Sequence, residues 1–476
     1  MITMEPPSKE VSAVDNHIVV PRRWWALASV TAAQFIAVAD AFIVNVAIPS
    51  IRADLHAGTA EIEAVIAVYQ IACAALLITG GRLGDILGRK PVFIIGVVSF
   101  TLASLWCGLA GSALMLIIAR AAQGAAAAIM VPQVLASIHT LFPDEARGRA
   151  FAIFGMAIGL GAAVGFMLGG WLITLNPAGL GWRSIFFVNV PIGIDIALAA
   201  AWLMPKLPRA VGTRLDLNGA VALFLGLLGL LLPMMFGREL GWPWWVWLVM
   251  AVGMSSLAGF MRLQRRVERR GGMPLIDLGL LADRAFLAGM GATFCFFAGN
   301  LSFYFILTLY MQKGMGLSPF DAALTVMPLA LAFVFGSRLS GGRLIEGCVV
   351  QGIGLAGTAV LVGTTAHPTM ALLMLPLAVF GYGQGMVPAP LFSAVLTQVR
   401  HAHAGSGAGM LATTQQVANG TGVVLSGMVY FAVPGDRWAL VVTLIMLGCT
   451  VLGTLACLYR MQCRAAPLRL ASVRAR

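Results

Sequence analysis

The sequence predicts an all-α protein that crosses a membrane many times, and three observations carry that expectation. Of its 476 residues, 59% are hydrophobic and 11% charged, whereas soluble domains carry about 25% charged residues. Roughly fourteen apolar segments reach the length of about 20 residues that a spanning helix needs. The cations between those segments alternate in density, dense on one side and sparse on the other. The mean hydropathy of +0.90 fits the same class. A net charge of +12, which elsewhere suggests a nucleic-acid partner, reads here as charge in the joints.

The segments run over 24–48, 62–80, 91–110, 112–138, 149–175, 184–204, 217–236, 243–261, 285–310, 320–340, 348–364, 369–396, 404–432 and 437–459. An even number puts both termini on one face. Cytoplasmic joints are enriched in Lys and Arg, and placing the termini inside puts 25 of the 31 cations there. Five fall outside (Arg52, Arg183, Arg238, Lys313 and Arg437), and Arg120 alone is left within the membrane. The expected organisation is a tail 1–23, six spans in 24–204, two further spans in 205–261, a linker 262–284, six spans in 285–459 and a tail 460–476. The basic linker is expected to lie on anionic headgroups, so the lipid bilayer is a partner and nucleic acid is not. The polar first 20 residues predict no cleaved leader. The seven cysteines form no C-x-x-C pair and read as small packing residues rather than metal ligands.

Between the second and third spans, residues 80–90 read G-G-R-L-G-D-I-L-G-R-K. Gly80, Gly81, Gly84 and Gly88 are expected to let the backbone turn and pack closely, with Asp85 beside Arg82, Arg89 and Lys90. A similar stretch, Gly341-Gly342-Arg343-Leu344-Ile345-Glu346-Gly347, follows the tenth span. The echo points to an internal duplication and to a parse of six, two and six spans.

Charges inside a bilayer are costly and usually functional. Asp40 lies about 13 Å from one end of its span and Arg120 about 12 Å from the same side, at 1.5 Å per residue, so the two can meet. Asp195 lies near the middle of the sixth span. Burial opposes the charged form of a carboxyl and a neighbouring arginine favours it, so small movements decide whether it holds a proton. The plainer alternative is that the acids only satisfy Arg120. In the aromatic ninth span, Asn300 and Tyr304 are candidates to line a cavity, as are Gln384 and Gln415, each polar within an apolar span.

Other chemistries find little support. G-x-x-x-x-G-K-[ST], H-E-x-x-H and G-x-S-x-G are absent, which weighs against a nucleotide-driven pump and a hydrolase. Gly352, Gly354 and Gly357 fit G-x-G-x-x-G, but inside an apolar helix, where they read as packing. His401 and His403 read as solvated residues of a joint.

Four motifs in order carry a resemblance to the major facilitator superfamily, and more closely to its fourteen-span drug:proton antiporter branch. G-R-L-G-D-I-L-G-R-K from Gly81 is similar to the superfamily's loop between spans two and three. D-A-F-I-V-N-V-A-I-P, from Asp40 through Asn45 to Pro49, resembles the branch's first-span pattern. Arg120-x-x-Gln123-Gly124 matches its R-x-x-Q-G, and Trp182-Arg183 through Asn189, Pro191 and Gly193 resembles its entry to span six. Gly161, Gly165, Phe166, Gly169 and Gly170 resemble the antiporter motif of span five, with Phe166 where the family has proline, which removes an expected kink.

The resemblance implies two pseudo-symmetric six-helix bundles plus two extra helices, and export of amphipathic, cationic drugs by alternating access. It implies no cofactor beyond the proton gradient, a monomer, residence in the bacterial cytoplasmic membrane and a possible periplasmic adaptor. Asp40 and Arg120 are then expected to couple the proton, while Asn45, Gln123, Asp195, Asn300, Tyr304, Gln384 and Gln415 line the cavity. Gly81, Asp85, Gly88, Arg89 and Lys90 are expected to form a conformational lock with Gly405 at the start of span thirteen. By pseudo-symmetry Glu346 should meet the start of span five near Arg147 and Arg149. An exporter dedicated to one endogenous metabolite or antibiotic is the near alternative. A non-transporting scaffold is the distant one, since a scaffold gains nothing from charges in the bilayer.

Overall fold

A computed structural model describes residues 23–474 apart from 143, 206–215, 273, 277, 340–341, 366–367, 398 and 400–403. No strand occurs among the described residues. The first bundle comprises α1 (Arg23–Leu55), α2 (Thr59–Leu87), α3 (Arg89–Gly108), α4 (Ala113–Leu141), α5 (Asp144–Leu175) and a sixth rod made of α6 (Ser184–Phe187) and α7 (Asn189–Leu203). Then come α8 (Leu217–Glu239), α9 (Trp244–Arg269) and the short α10 (Leu278–Ala282). The second bundle comprises α11 (Arg284–Leu309), α12 (Pro319–Leu339), α13 (Leu344–Thr364), a rod of α14 (Met370–Gly385) and α15 (Pro388–Leu396), α16 (Ala404–Ala432) and α17 (Asp436–Arg474). Thirteen of the described helices or joined rods are long and apolar enough to cross a membrane. The 29-residue α16 is a further long helix of the second bundle.

Local chemistry sets the helix ends. Ser112 accepts from Met115 N at 3.2 Å to start α4, and Asp283 accepts from Ala285 N and Phe286 N at 2.7 and 3.3 Å to start α11, which satisfies N–H groups that have no partner within the helix. Pro388 stands where α14 gives way to α15, as a residue without an N–H should. The final helix continues to Arg474, so the expected tail extends the last span.

Packing repeats between the bundles. In the first, α1 packs on α5, α2 on α4, and α3 on α4 and α7; in the second, α11 packs on α16, α12 on α14, and α13 on α14 and α17. The bundles meet along two matching seams, α2 against α16 and α5 against α12. The duplication is therefore real, but the Gly-Gly-Arg-Leu echo does not mark it. Gly80 to Leu83 lie inside the last turns of α2, which ends at Leu87, whereas Gly342 and Arg343 sit in the joint before α13. The helix junction that matches this joint is Gly88, with φ 97° against 84° at Gly342.

The stretch expected to be a hydrophilic hairpin is thus two helices meeting at Gly88. Its glycines are not equivalent. A Cβ on Gly80 would fall 2.1 Å from the Ala128 carbonyl oxygen, and one on Gly84 would fall 1.9 Å from Gln133 Oε1. Gln133 in turn donates to Gly80 O at 2.8 Å, so both glycines seat α2 on α4. Gly81 has only Pro132 Cβ nearby, at 3.6 Å, and the fold makes no demand for glycine there.

On α5, Cβ atoms at Gly161 and Gly165 would stand 2.8 and 2.6 Å from the Phe35 and Ala39 carbonyl oxygens of α1, and one at Gly169 would stand 2.8 Å from Ile43 Cγ1. Gly170 faces the other way, 2.6 Å from the Pro319 carbonyl oxygen of α12. The expected antiporter helix is therefore the piece that holds α1 against α5 and, one residue on, holds the two bundles together. Phe166 replaces the family proline without breaking α5. Its ring is 3% exposed and lies 6.1 Å from Phe42 and 5.3 Å from Tyr304 of the second bundle.

The two extra spans grip α2 at both ends. Glu239 of α8 accepts from Ala60 N at 3.0 Å and from the Thr59 hydroxyl. At the other end Gln264, fully buried, donates to Asp216 at 2.7 Å and accepts from Leu275 N at 2.5 Å, while Arg82 donates to the Pro274 carbonyl oxygen. More than half of the expected basic linker is helix, since α9 continues to Arg269 and α10 follows over Leu278–Ala282.

Gly81→Ala should leave the melting temperature of the purified protein nearly unchanged, within about 0.5 kcal/mol. Gly80→Ala should cost about 1–3 kcal/mol or more by overpacking, read as a lower melting temperature and yield. Equal effects at the two positions would contradict the packing described.

Candidate functional site

The polar centre of the first bundle is built on five helices. Arg120 of α4 donates through Nη1 to Asp40 Oδ2 of α1 at 2.5 Å and to Gln123 Oε1 at 2.6 Å, and through Nε to the Val65 carbonyl oxygen of α2 at 3.2 Å. Gln123 Nε2 donates to Asp40 Oδ1 at 2.9 Å and to Ser104 Oγ of α3 at 2.8 Å. Asn189, at the start of α7, donates to the same Asp40 Oδ1 at 2.8 Å. The side chains of Asp40 and Arg120 are 0% and 1% exposed. Arg120 also lies over the Tyr69 ring, 4.4 Å from its centroid.

The spacing R-x-x-Q-G has a physical reason in this frame. Arg120 and Gln123 fall on one face of α4 and present a matched donor and acceptor pair. Gly124 lets α2 approach, since a Cβ there would fall 2.2 Å from the Tyr69 carbonyl oxygen. Depth estimated from the sequence put Asp40 and Arg120 at one level, and the structure brings them together.

The helix that carries Asp40 also lies at the seam. Gln312, in the π-helical turn Tyr310–Gly314 after α11, donates to the Val46 carbonyl oxygen of α1 at 2.9 Å. Phe42 meets Tyr304 edge-on at 5.0 Å. Asp40 thus holds the middle of α1 in the buried network, while Phe42 and Val46 touch the opposite bundle.

Of the expected cavity residues, three form a chain in the second bundle. Tyr304 OH donates to Gln384 Oε1 at 3.0 Å, and Gln384 Nε2 donates to Asn300 Oδ1 at 2.5 Å. Gln415 is half-buried on α16. Gln123 belongs to the Asp40 network. Asn45 is fully buried and donates to the Ala41 carbonyl oxygen of its own helix at 3.0 Å. Asp195 does not join them. It is exposed on α7 and shares a face with Ile194, Leu198 and Trp202, which are 51%, 58% and 87% exposed. That face is the outside of the bundle, while Gly193, Ile196 and Ala200 are the buried side.

The expected lock residues hold the first bundle together at its cation-rich face. Asp85 pairs with Arg89 at 3.5 Å, Arg89 donates to the Ala136 carbonyl oxygen at 2.6 Å, and Lys90 donates to the Ala201 and Met204 carbonyl oxygens at 2.7 Å. Lys90 thereby closes the C-terminal end of α7, a favourable place for a cation. Glu346 pairs with Arg343 at 3.8 Å, so it stays in its own joint, and Arg149 instead lies 5.4 Å over the Trp24 ring. The reason is register: Glu346 is in the first turn of α13, one junction away from the counterpart of Asp85 in the last turn of α2. Gly405 falls in the first turn of α16, whose side chains lie outside the described residues, as do Gly341, the Arg147 side chain, His401 and His403.

Four contributors escape a sequence reading. Ser104 sits in an apolar run with no signal. Asn189 stands in a quoted motif, where its role as a donor to Asp40 could have been suspected. Trp182 and Arg183 both donate to Asp54, at 3.0 and 2.7 Å, and tie the far end of α1 to the entry of the sixth rod.

Comparison with known proteins agrees with this geometry. The family model described as Major Facilitator Superfamily matches residues 30–423. The chain is 38% identical over 426 residues to the probable actinorhodin transporter of Streptomyces coelicolor, covering 87% of this chain and 74% of that protein. It is 33% identical over 424 residues to the puromycin resistance protein pur8 of Streptomyces alboniger, at 85% and 81% coverage. It is 34% identical over 421 residues to the cephamycin export protein CmcT of Amycolatopsis lactamdurans, at 84% and 83%. Among solved structures, a bacterial homolog of the human lysosomal transporter Spinster, inward-facing and occupied, superposes with a TM-score of 0.65 at 18% identity, covering 92% of this chain and 97% of that one. A D-xylose–proton symporter gives 0.63 at 14%, with the same coverage. These two likenesses speak for the fold. The chain is a membrane transporter, not an enzyme, and belongs to the Major Facilitator Superfamily.

Proposed function

We propose that this protein exports an amphipathic compound of antibiotic size from the bacterial cytoplasm, in exchange for protons, by rocking two bundles about their seams. The observation that carries the reading is that α1 holds Asp40 in the buried network and, through Phe42 and Val46, touches the second bundle. A change of protonation at Asp40 is thereby transmitted to a helix that must move.

The chemistry follows from the hydrogen bonds. Ionised Asp40 accepts from Arg120, Gln123 and Asn189, which offsets the several kcal/mol that burying each ion costs. A proton on Asp40 removes the charge that holds Arg120 and turns one acceptor oxygen into a donor. Arg120 keeps Gln123 Oε1, Val65 O and the Tyr69 ring, so it survives without its acid. The pairing of α1 with α4 is what weakens.

Antibiotic export is supported by the relatives, whose names refer to actinorhodin, puromycin and cephamycin. Those single-compound names support a dedicated exporter, while a further relative, 28% identical, is named a multidrug resistance protein and keeps the broad pump as the second reading. The expected preference for cations loses its main support, because Asp195 faces away from the seams. The chain of Tyr304, Gln384 and Asn300 is the polar group best placed for a substrate, beside Phe42 and Phe166. The cation-rich face, with Arg82, Arg89, Lys90 and the four arginines of α9's last turns, is assigned to the cytoplasm.

In inverted vesicles, Asp40→Asn should abolish proton-driven uptake of an exported compound while sparing part of its binding. Arg120→Ala should abolish it too and cost stability by about 3–5 kcal/mol, since it leaves a buried acid without its partner. Wild-type rates in Asp40→Asn vesicles would place the proton elsewhere. A susceptibility panel in a pump-deficient host, with puromycin, a cephamycin, an aromatic polyketide and ethidium, should show protection against one class. Protection across all four would restore the multidrug reading. For orientation, Arg270→Cys should resist an impermeant thiol reagent in whole cells, whereas Ala178→Cys should react.

A further inference from the structure

The G-x-G-x-x-G run of α13 was read as packing, and the structure divides its glycines. A Cβ on Gly354 would fall 2.3 Å from the Phe380 amide nitrogen of α14, so that glycine does seat one helix on another. Gly352 is different. A Cβ there would meet only Val451 Cγ1 of α17, at 3.5 Å, an ordinary contact. Further along, a Cβ on Gly363 would meet Val441 Cγ2 at 3.8 Å, and one on Gly448 of α17 would meet Leu355 Cδ2 at 3.9 Å. These three glycines do not draw α17 onto α13. What they leave is an apolar cleft of about 430 Å³ between the two helices. Its rim faces outward from the bundle, since Val360 and Ile445 are each 63% exposed.

The cleft has a charged head. Val441, Leu444 and Gly448 line it from α17 at helical spacing, and Arg437 stands one turn before Val441, where residues share a face. Arg437 Nε donates to the Val362 carbonyl oxygen at 2.8 Å and Nη2 to that of Gly363. These bonds use two of the guanidinium's five N–H donors. The neighbouring acid, Asp436, pairs with Lys313 at 3.3 Å instead. Trp438, 54% exposed, marks the level at which membrane proteins place rings among headgroups.

Length decides what fits. Gly363 to Gly352 spans about 17 Å at 1.5 Å per residue, just over half of a hydrocarbon core of about 30 Å. A partner helix needs a face across the whole core, whereas one lipid needs a single leaflet. The cation at the head matches a phosphate, and the apolar cleft below it matches a hydrocarbon chain. We propose that α13 and α17 hold one phospholipid from the leaflet at the cation-poor face, its phosphate on Arg437 and one acyl chain in the cleft. Such a lipid is part of the folded bundle and stabilises it by binding the native state. The inference rests on neither proton coupling nor the identity of the exported compound.

Native mass spectrometry of the purified, delipidated full-length protein tests this, by titration with phosphatidylglycerol and with diacylglycerol of the same chains. One phosphatidylglycerol should bind about tenfold or more tightly than diacylglycerol and raise the melting temperature. Inorganic phosphate should not compete. Gly352→Leu and Gly448→Leu each place a side chain in the cleft. Both should weaken phosphatidylglycerol by about tenfold or more without lowering the melting temperature of the lipid-free protein. Arg437→Gln should bring phosphatidylglycerol down to the affinity of diacylglycerol. Undiminished binding in the two cleft-filling variants means lipid of the general annulus only and overturns the proposal. So does equal binding of the two lipids by the wild type, or displacement by phosphate. A wild-type dimer that the cleft-filling variants split into monomers puts a second copy there and overturns it too. Because Arg437 also holds the end of α13, the comparison of the two lipids on the wild type carries the test of charge should Arg437→Gln not accumulate.

Discussion

Everything in the first bundle is arranged around one buried ion pair. Two full charges without water would be prohibitive unless each lone pair and each N–H had a partner. Asp40 and Arg120 approach that condition by drawing groups from five helices: Val65 O, Ser104, Gln123 and Asn189 beside the pair itself. Because the lipid offers apolar helices no reason to prefer one another, such bonds and close backbone packing must select the arrangement. The glycines supply the second half. Gly80, Gly84 and Gly124 bring α2 and α4 together, and Gly161 and Gly165 bring α5 onto α1, so the pair is held at a fixed separation.

That dependence explains which parts were legible in the sequence. Span number and depth follow from length and rise per residue, so Asp40 and Arg120 could be paired on paper. Orientation about the helix axis could not. The helix α7 is apolar on every side, and its polar exception, Asp195, had no stripe against which to be placed. Glu63 was missed for the converse reason. It falls just inside the segment 62–80, beside the polar Thr59-Ala60-Glu61, so it looks like the edge of a joint, and its burial against α16, far along the chain, appears only in the fold.

The short echo of Gly-Gly-Arg-Leu misled in an instructive way. Four residues can recur at two helix ends without occupying the same place, and here they are offset by roughly two turns. Packing gives a sounder test, since the main helix pairs of the first bundle have their counterparts in the second. It also yields an equivalence not visible in sequence. Arg183 donates to Ala110 O just past the end of α3, and Arg437 donates to Val362 O at the end of α13, each arginine standing at the start of the last rod of its bundle.

Symmetry predicts two equal seams, and the two extra spans make them unequal. Glu239 holds one end of α2, and the Arg82 contact to Pro274 holds the other, while α8 also packs against α16. The α2–α16 seam is thus shielded from lipid by an added helix, and it is there that a carboxyl is buried. The α5–α12 seam has no such cover and closes with Gly170 and the aromatic trio of Phe42, Phe166 and Tyr304. The two seams are therefore chemically distinct: one carries a buried carboxyl beneath an added helix, the other rings and glycine.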